Sequence, residues 1–117
     1  MPLINVTRSM ILAKQVEVAE TFKARLKGLI GTSILPSDRA LLIRPCSSVH
    51  TFFMKYPIDV IFLDKENRIL KILHSLPPYR FSPLVWNAKM VLELPAGRCR
   101  CTGTRVGDLL KVTYFKK

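Results

Sequence analysis

The stretch CSSVHTFFMKYPIDVIFLD, residues 46–64, decides how this 117-residue chain folds. Its second half, Ile58–Leu63, is apolar on both faces of an extended chain except at Asp59, which predicts a central strand buried on both sides. A buried carboxylate is energetically expensive, so we expect Asp59 to have a hydrogen-bond partner or a raised pKa. The residues that could serve as its partner are Arg25, His50 and Thr51.

The first half of the stretch is β-branched and aromatic over Val49–Phe53, which predicts a second strand. Cys46, His50 and Met54 carry the ligand types of a blue-copper site. On a continuous strand, however, residues four apart lie ~13 Å from each other, too far to share one ion. A blue-copper site also needs a second histidine upstream of these three residues, but the other histidine of the chain, His74, lies downstream of them. We therefore predict no metal and no cofactor, and His50 is either a buried structural histidine or a binding residue.

Upstream of this stretch the pattern predicts a strand over residues 10–18 and then one helix. Thr21 is a suitable N-cap and Gly31 a suitable C-terminal residue for that helix. Its apolar face comprises Phe22, Leu26, Leu29 and Ile30. Ala40–Arg44 is a short apolar run that predicts another strand.

Downstream, Asp64–Asn67 is a polar turn and Arg68–Leu73 the returning strand of a hairpin. His74–Pro83 contains three prolines and is expected to be an irregular crossover. Lys89–Leu94 predicts a strand, and a last pair of strands is expected to flank the Gly107–Asp108 turn. Seven or eight strands with one short helix indicate a mainly β fold, a compact antiparallel sandwich or barrel-like single domain spanning the chain.

Composition narrows the class of protein. Lys and Arg number 19 against 8 Asp and Glu, a formal charge of +11, which implies attraction to anions in general: nucleic acid, anionic lipid, and phosphorylated or acidic partners. The charge does not choose among them. Three cysteines argue against a disulfide framework. The apolar runs are too short for a membrane span, and the N-terminus lacks the pattern of a signal peptide. We therefore expect a cytoplasmic protein.

Two further features carry candidate chemistry. Glu93 is a second isolated acid in an apolar strand, so with Asp59 and a histidine it could perform acid–base catalysis, or each acid could be a structural anchor. Cys99 and Cys101 would share one face of a strand. If the two thiols were exposed, the neighbouring arginines would lower the thiol pKa values. The alternatives are therefore a redox role and two ordinary reduced thiols.

Aromatic residues interleaved with basic ones would indicate nucleic-acid binding. Tyr79–Phe81 and Tyr114–Lys116 are the two short segments with that pattern.

Five segments of the chain occur in the order of a known family pattern. They are ARLKGLIG (24–31), CSSVHTFFMKYPIDVIFLD (46–64), LPPYRFSP (76–83), VLELPAG (91–97) and GDLL (107–110). Through them the chain resembles the small prokaryotic domain-of-unknown-function family numbered 192 (DUF192). The resemblance implies a β-rich, sandwich-like fold with one helix and implies no activity. Many members look exported, whereas this chain lacks a recognisable signal sequence.

We therefore expect a cytosolic β-rich domain that binds a small anionic ligand or an acidic protein partner, with no established catalysis. The candidate binding residues are Arg25, His50, Thr51, Asp59, Glu93 and Arg98. Four of them, Arg25, His50, Asp59 and Glu93, are expected to converge near one end of the sheet. The alternatives are an enzyme that uses this cluster, a non-specific nucleic-acid binder, and a motif that only specifies the fold.

Overall fold

The computed structural model describes residues 2–19, 38–49, 51, 56–112 and 115–116. In these ranges the chain forms nine strands and one short helix, which confirms the mainly β prediction. The strands are β1 (Leu3–Asn5), β2 (Met10–Ala13), β3 (Gln15–Ala19), β4 (Arg39–Ile43), β5 (Ile58–Leu63), β6 (Ile69–Leu76), β7 (Met90–Pro95), β8 (Leu110–Val112) and β9 (Phe115–Lys116), and helix α1 is Arg98–Cys101. Within the same ranges no helix has the length and apolarity needed to cross a membrane.

The strands form a sheet of six, in the order β6-β5-β7-β4-β3-β9, and a sheet of three, in the order β2-β1-β8. The larger sheet is mixed, because β3 pairs in parallel with β4 and with β9 while the other pairs are antiparallel. Parallel neighbours need a long crossover connection. The predicted helix from Thr21 to Gly31 belongs to the β3–β4 connection and lies outside the described residues.

Strand β5 separates two hydrophobic cores, because alternate residues of a strand point to opposite faces. Ile61 and Leu63 pack in the first core, with residues of the smaller sheet such as Leu3. Val60 and Phe62 pack in the second core, on the other face of the six-stranded sheet. All six residues of β5 are buried, which confirms the prediction of a central strand.

The β5–β6 hairpin also follows the prediction. Asp64 closes its turn by accepting hydrogen bonds on Oδ1 from the backbone N–H groups of Glu66 at 2.8 Å and Arg68 at 3.0 Å. The return strand β6 continues to Leu76, so the irregular connection is shorter than the sequence predicts. The sequence beyond Leu73 has only a weak strand pattern, but Leu76 pairs with Ile58 of β5, and this pairing extends the strand.

Two predicted strands differ from the structure. The expected hairpin around Gly107–Asp108 is wrong, because the strand that follows the turn, β8, pairs with β1 and the residues before the turn form no strand. Of the strand predicted over residues 49–53, Val49 and Thr51 are described and neither is in a strand. Residues 50, 52 and 53 lie outside the described residues.

A buried polar network joins β1 to the loop before β8. The Asp108 Oδ2 atom accepts hydrogen bonds from Asn5 Nδ2 at 2.9 Å, Arg8 Nε at 3.0 Å and the Arg105 backbone N–H at 3.0 Å. Asn5 also donates to Thr104 Oγ1 at 3.1 Å. Burial acts to raise the pKa of Asp108, but these hydrogen bonds and the charge of Arg8 hold it below its usual value of 3.8.

We expect Asp108→Asn to lower the free energy of unfolding by about 1–3 kcal/mol near neutral pH, because one acceptor atom serves three donors. A carboxyl with a lower pKa in the folded than in the unfolded state stabilises the fold above the unfolded pKa, and this stabilisation is lost as pH falls through the folded pKa. Urea unfolding of both proteins should therefore differ constantly between about pH 5 and 7 and converge below about pH 4. A pH-independent difference would contradict the assigned role of Asp108.

We expect Phe62→Ala to lower the free energy of unfolding by about 3–5 kcal/mol, because it leaves a cavity in the second core. The matched control is Val106→Ala, at a side chain that is 60% exposed, for which the change should be about 0.5 kcal/mol or less. Equal effects of the two substitutions in urea unfolding would refute the central position of β5.

Candidate functional site

Asp59 is fully buried, and its carboxylate accepts hydrogen bonds from three backbone N–H groups. Oδ1 accepts from Ser75 at 2.8 Å and from Gly97 at 3.2 Å, and Oδ2 accepts from Cys99 at 2.9 Å. Such charge-assisted bonds compensate for removing the carboxylate from water. Asp59 thus has the partners that its burial requires, and they are backbone groups rather than the residues expected from the sequence.

Two local irregularities aim these donors at Asp59. The register of the β5–β6 pair shifts between Ile58 and Val60, and Ser75 has a positive φ of 49° at that point of β6. Gly97 has a φ of 90°, a conformation that favours glycine, and it turns the chain from β7 into α1. The carboxylate therefore connects β5 to the neighbouring strand and to the start of the helix.

The structure corrects the prediction that Cys99 and Cys101 share one face of a strand. Both belong to helix α1, where Cys99 is buried and Cys101 is exposed. Burial, followed by the negative charge of Asp59 and a hydrogen bond with it, raises the pKa of the Cys99 thiol far above its usual range. Because the thiolate is the reactive form, burial of Cys99 and this shift give the redox alternative no support at that residue.

Glu93 is also fully buried, but it lies on the other face of the six-stranded sheet from Asp59. It is directly opposite Val60 in the β5–β7 pair, whereas Asp59 is opposite Leu94. Cross-strand partners share a face, and adjacent residues point to opposite faces. The expected convergence of the two acids is therefore not found.

Thr51 is fully buried and holds the segment that follows β6. Its hydroxyl donates to the Pro77 carbonyl oxygen at 2.6 Å and accepts from the Arg80 backbone N–H at 2.9 Å. Its own backbone N–H donates to the Arg80 carbonyl at 2.8 Å, and its carbonyl accepts from Tyr79 N–H at 3.0 Å. The sequence suggested Thr51 as a partner of Asp59, but in the structure Thr51 instead fixes residues 77–80.

The other candidates are spread over the molecule. Arg98 is the first residue of α1 and is half-buried. It lines a surface hollow of about 270 Å³ together with Lys14, Asp38 and part of β2. Arg25 and His50, like Met54, lie outside the described residues. Among the residues that the structure does describe, no group of three or more His, Cys, Asp or Glu side chains could hold a metal ion.

Among the residues that the structure describes, the most prominent surface feature is the segment of residues 79–86, which we call the aromatic segment. Tyr79, Phe81, Leu84 and Trp86 are exposed by 63%, 73%, 63% and 80%. The sequence indicated only its first three residues, because its prolines obscure any strand pattern. The signal that could have found the rest is a series of large apolar residues inside a proline-rich connection.

The backbone of the aromatic segment is held in place by Ser47, Val49 and Thr51. Besides the bonds of Thr51, Ser82 N–H donates to the Val49 carbonyl at 2.8 Å and Val85 N–H donates to the Ser47 carbonyl at 2.9 Å. The Ser82 hydroxyl accepts from Val49 N–H at 2.8 Å. Val85 packs against the second core while its neighbours on either side point to solvent. The segment is therefore a fixed support for exposed apolar side chains.

Known proteins resemble this chain over most of its length. The profile of the family described as uncharacterized ACR, COG1430 (DUF192) matches residues 4–112. A UPF0127 protein of Thermococcus sibiricus is 34% identical over 114 residues, which are 91% of this chain and 71% of that protein.

Two crystal structures share the fold. A protein of unknown function from Novosphingobium aromaticivorans superposes with a TM-score of 0.82 at 22% identity, covering 96% of this chain and 84% of that one. A protein of Sinorhizobium meliloti, described as a proposed transcription regulator, superposes with a TM-score of 0.75 at 23% identity, covering 94% and 89%. At these identities the likeness shows the fold alone.

We expect Asp59→Asn to lower the free energy of unfolding by about 2–4 kcal/mol, because the new amide group would face a buried backbone N–H group. Asp64→Asn is the matched control, since it removes the same charge but keeps the one oxygen that accepts both hydrogen bonds of the turn. It should lower the free energy of unfolding by less than about 1 kcal/mol. Urea unfolding of both variants tests this, and equal losses would contradict it.

Proposed function

The chain belongs to the uncharacterized ACR family, COG1430 (DUF192), and from that starting point we propose that it is a binding domain that docks an acidic protein partner on its aromatic segment. The observation that carries this proposal is the 63–80% exposure of four large apolar side chains within eight residues. Concentrations of exposed apolar surface mark interaction sites. Aromatic residues and arginine are also enriched in protein interfaces, and Arg80 is exposed in this segment.

Preorganisation supports the proposal. The hydrogen bonds of Ser47, Val49 and Thr51 hold the aromatic segment before any partner arrives, so little backbone entropy is lost on binding. Thr51 fixes residues 77–80, and Asp59 fixes Ser75 just before them. These two sequence-predicted residues enter the proposal as positioning residues. We keep His50 as a proposed contact with the partner, because it adjoins Thr51 in the chain. Arg25, Glu93 and Arg98 have no role in the proposed docking.

Charge favours an acidic partner over a basic one. The formal charge of +11 attracts acidic surfaces during diffusion and repels basic ones. Arg80, which is exposed, places a positive charge within the aromatic segment itself. A partner that carries acidic residues around an apolar centre would complement both features.

The same aromatic and basic residues would suit single-stranded nucleic acid, in which bases stack on aromatic rings. The exposed Leu84 favours protein, because an aliphatic side chain provides apolar contact but no stacking surface. The Sinorhizobium protein is described as a proposed transcription regulator, but at 23% identity this description does not decide whether the present chain binds protein or nucleic acid.

The enzyme alternative has weaker support. Both carboxylate oxygens of Asp59 accept backbone hydrogen bonds, and Glu93 lies on the other face of the sheet. A pair of acids acting together on one substrate requires both within reach of the same atoms. We therefore place binding, and not acid–base catalysis, at the centre of the proposal.

The experiment is site-specific photocrosslinking in cells, with a photoreactive phenylalanine at position 81 and, as a control, at the exposed position 106. We expect an acidic protein to be captured from position 81 and not from position 106. Trp86, the only tryptophan of the chain, then reports binding of that purified protein through a blue shift of its fluorescence.

In this titration Phe81→Ala should weaken binding roughly 10- to 100-fold, as truncation of an aromatic anchor usually does. Val106→Ala should leave the affinity unchanged, and added salt should weaken binding of the wild-type protein. Crosslinks to nucleic acid at position 81 would overturn the proposal in favour of nucleic-acid binding. Equal capture at positions 81 and 106 would also overturn it.

A further inference from the structure

A hollow of about 460 Å³ opens beside the aromatic segment, between residues 45–48 and residues 88–89. The described residues that line it are Pro45, Cys46, Ser47, Ser48, Ala88 and Lys89. The volume falls in the range of pockets that hold small organic molecules, about 300–1,000 Å³. The hollow is thus larger than a bare inorganic ion requires.

The walls of the hollow are held by backbone hydrogen bonds. Cys46 N–H donates to the Lys89 carbonyl at 3.1 Å, and Lys89 N–H donates to the Leu63 carbonyl at 2.8 Å. On the other side, Val85 N–H donates to the Ser47 carbonyl at 2.9 Å. These bonds join the hollow to β5 and to the aromatic segment, so its shape is set by the fold before a ligand binds.

The polar groups of the hollow match an anion. Lys89 is exposed and contributes an ammonium group, while Ser47 and Ser48 contribute hydroxyl groups that can donate hydrogen bonds. None of the six lining residues is acidic. The Cys46 thiol lies 2.9 Å from the Ser48 carbonyl oxygen, to which it donates, so it is directed away from a ligand's acceptor atoms.

The apolar residues of the lining indicate the rest of the ligand. Ala88 is 7% exposed and packs in the second core, and Pro45 is the other apolar residue named in the lining. A ligand whose anionic group meets Lys89 and the serines would place its carbon skeleton against these two residues. Polar groups make up the larger part of the lining, which suits the anionic group of the ligand, and these two residues provide apolar contact for its carbon atoms.

We infer that this hollow binds a small organic molecule that carries a phosphate or carboxylate group. Lys89 supplies the compensating charge, and Ser47 and Ser48 donate hydrogen bonds to the oxyanion. The site shares no side chain with the aromatic segment, so it stands or falls separately from the docking of a protein partner.

The experiment is an NMR titration of the ¹⁵N-labelled protein with inorganic phosphate and, separately, with acetate, at constant ionic strength set by sodium chloride. We expect the amide signals of residues 46–48, 88 and 89 to shift together and to saturate. Phosphate binding at lower concentration than acetate would identify the phosphoryl group as the preferred anion, and the reverse order would identify the carboxylate. Either order supports an oxyanion site.

Two lysine variants with the same change of charge provide the control. Lys89→Gln should weaken the binding of phosphate roughly tenfold, because a charged hydrogen bond to the anion is lost. Lys65→Gln, in the β5–β6 turn, should leave phosphate affinity unchanged. The spectrum of each variant shows directly whether it is folded. Phe81→Ala should not change phosphate affinity, which separates this site from the docking surface.

Shifts that do not saturate, or equal weakening by Lys89→Gln and Lys65→Gln, would overturn the inference and indicate general attraction of anions to a basic protein.

Discussion

The buried carboxylate of Asp59 is the interaction on which the arrangement of this protein depends. It lies in the central strand β5 and accepts hydrogen bonds from Ser75, Gly97 and Cys99, which belong to the neighbouring strand, to the turn after β7 and to α1. A charge removed from water is tolerated only when such donors surround it. The register shift in β6 and the left-handed glycine after β7 are the local distortions that bring those donors into place.

The same stretch of sequence contains the other anchor of the molecule. Thr51 precedes Asp59 by eight residues and binds the Pro77 carbonyl and the Arg80 amide, while Asp59 binds the amide of Ser75. Residues 75–80 are therefore held at both ends by side chains of one motif. The aromatic segment begins at the end of this held stretch, so residues buried in the fold determine how exposed residues are presented to a partner.

Sequence reasoning succeeded where a segment's own pattern decides its structure. Ile58–Leu63 is a central strand because six consecutive residues suit burial on both faces, and Asp64–Asn67 turns because the aspartate bonds to the amides that follow it. It failed at Cys99 and Cys101, which were placed on a strand, whereas the chain forms a short helix there beside Asp59. It also placed Asp59 and Glu93 together, although their positions in the β5–β7 pair put them on opposite faces.

The sequence by itself determined the family, the mainly β fold, the central strand and the requirement that Asp59 have a partner. Those conclusions depend on local periodicity and on the free energy of burying a charge, both of which can be read from consecutive residues. Only the tertiary structure decided that the partners are backbone amides, that Thr51 holds the aromatic segment, and that four large apolar side chains remain exposed there. These facts depend on contacts between residues far apart in the chain, which local periodicity does not specify.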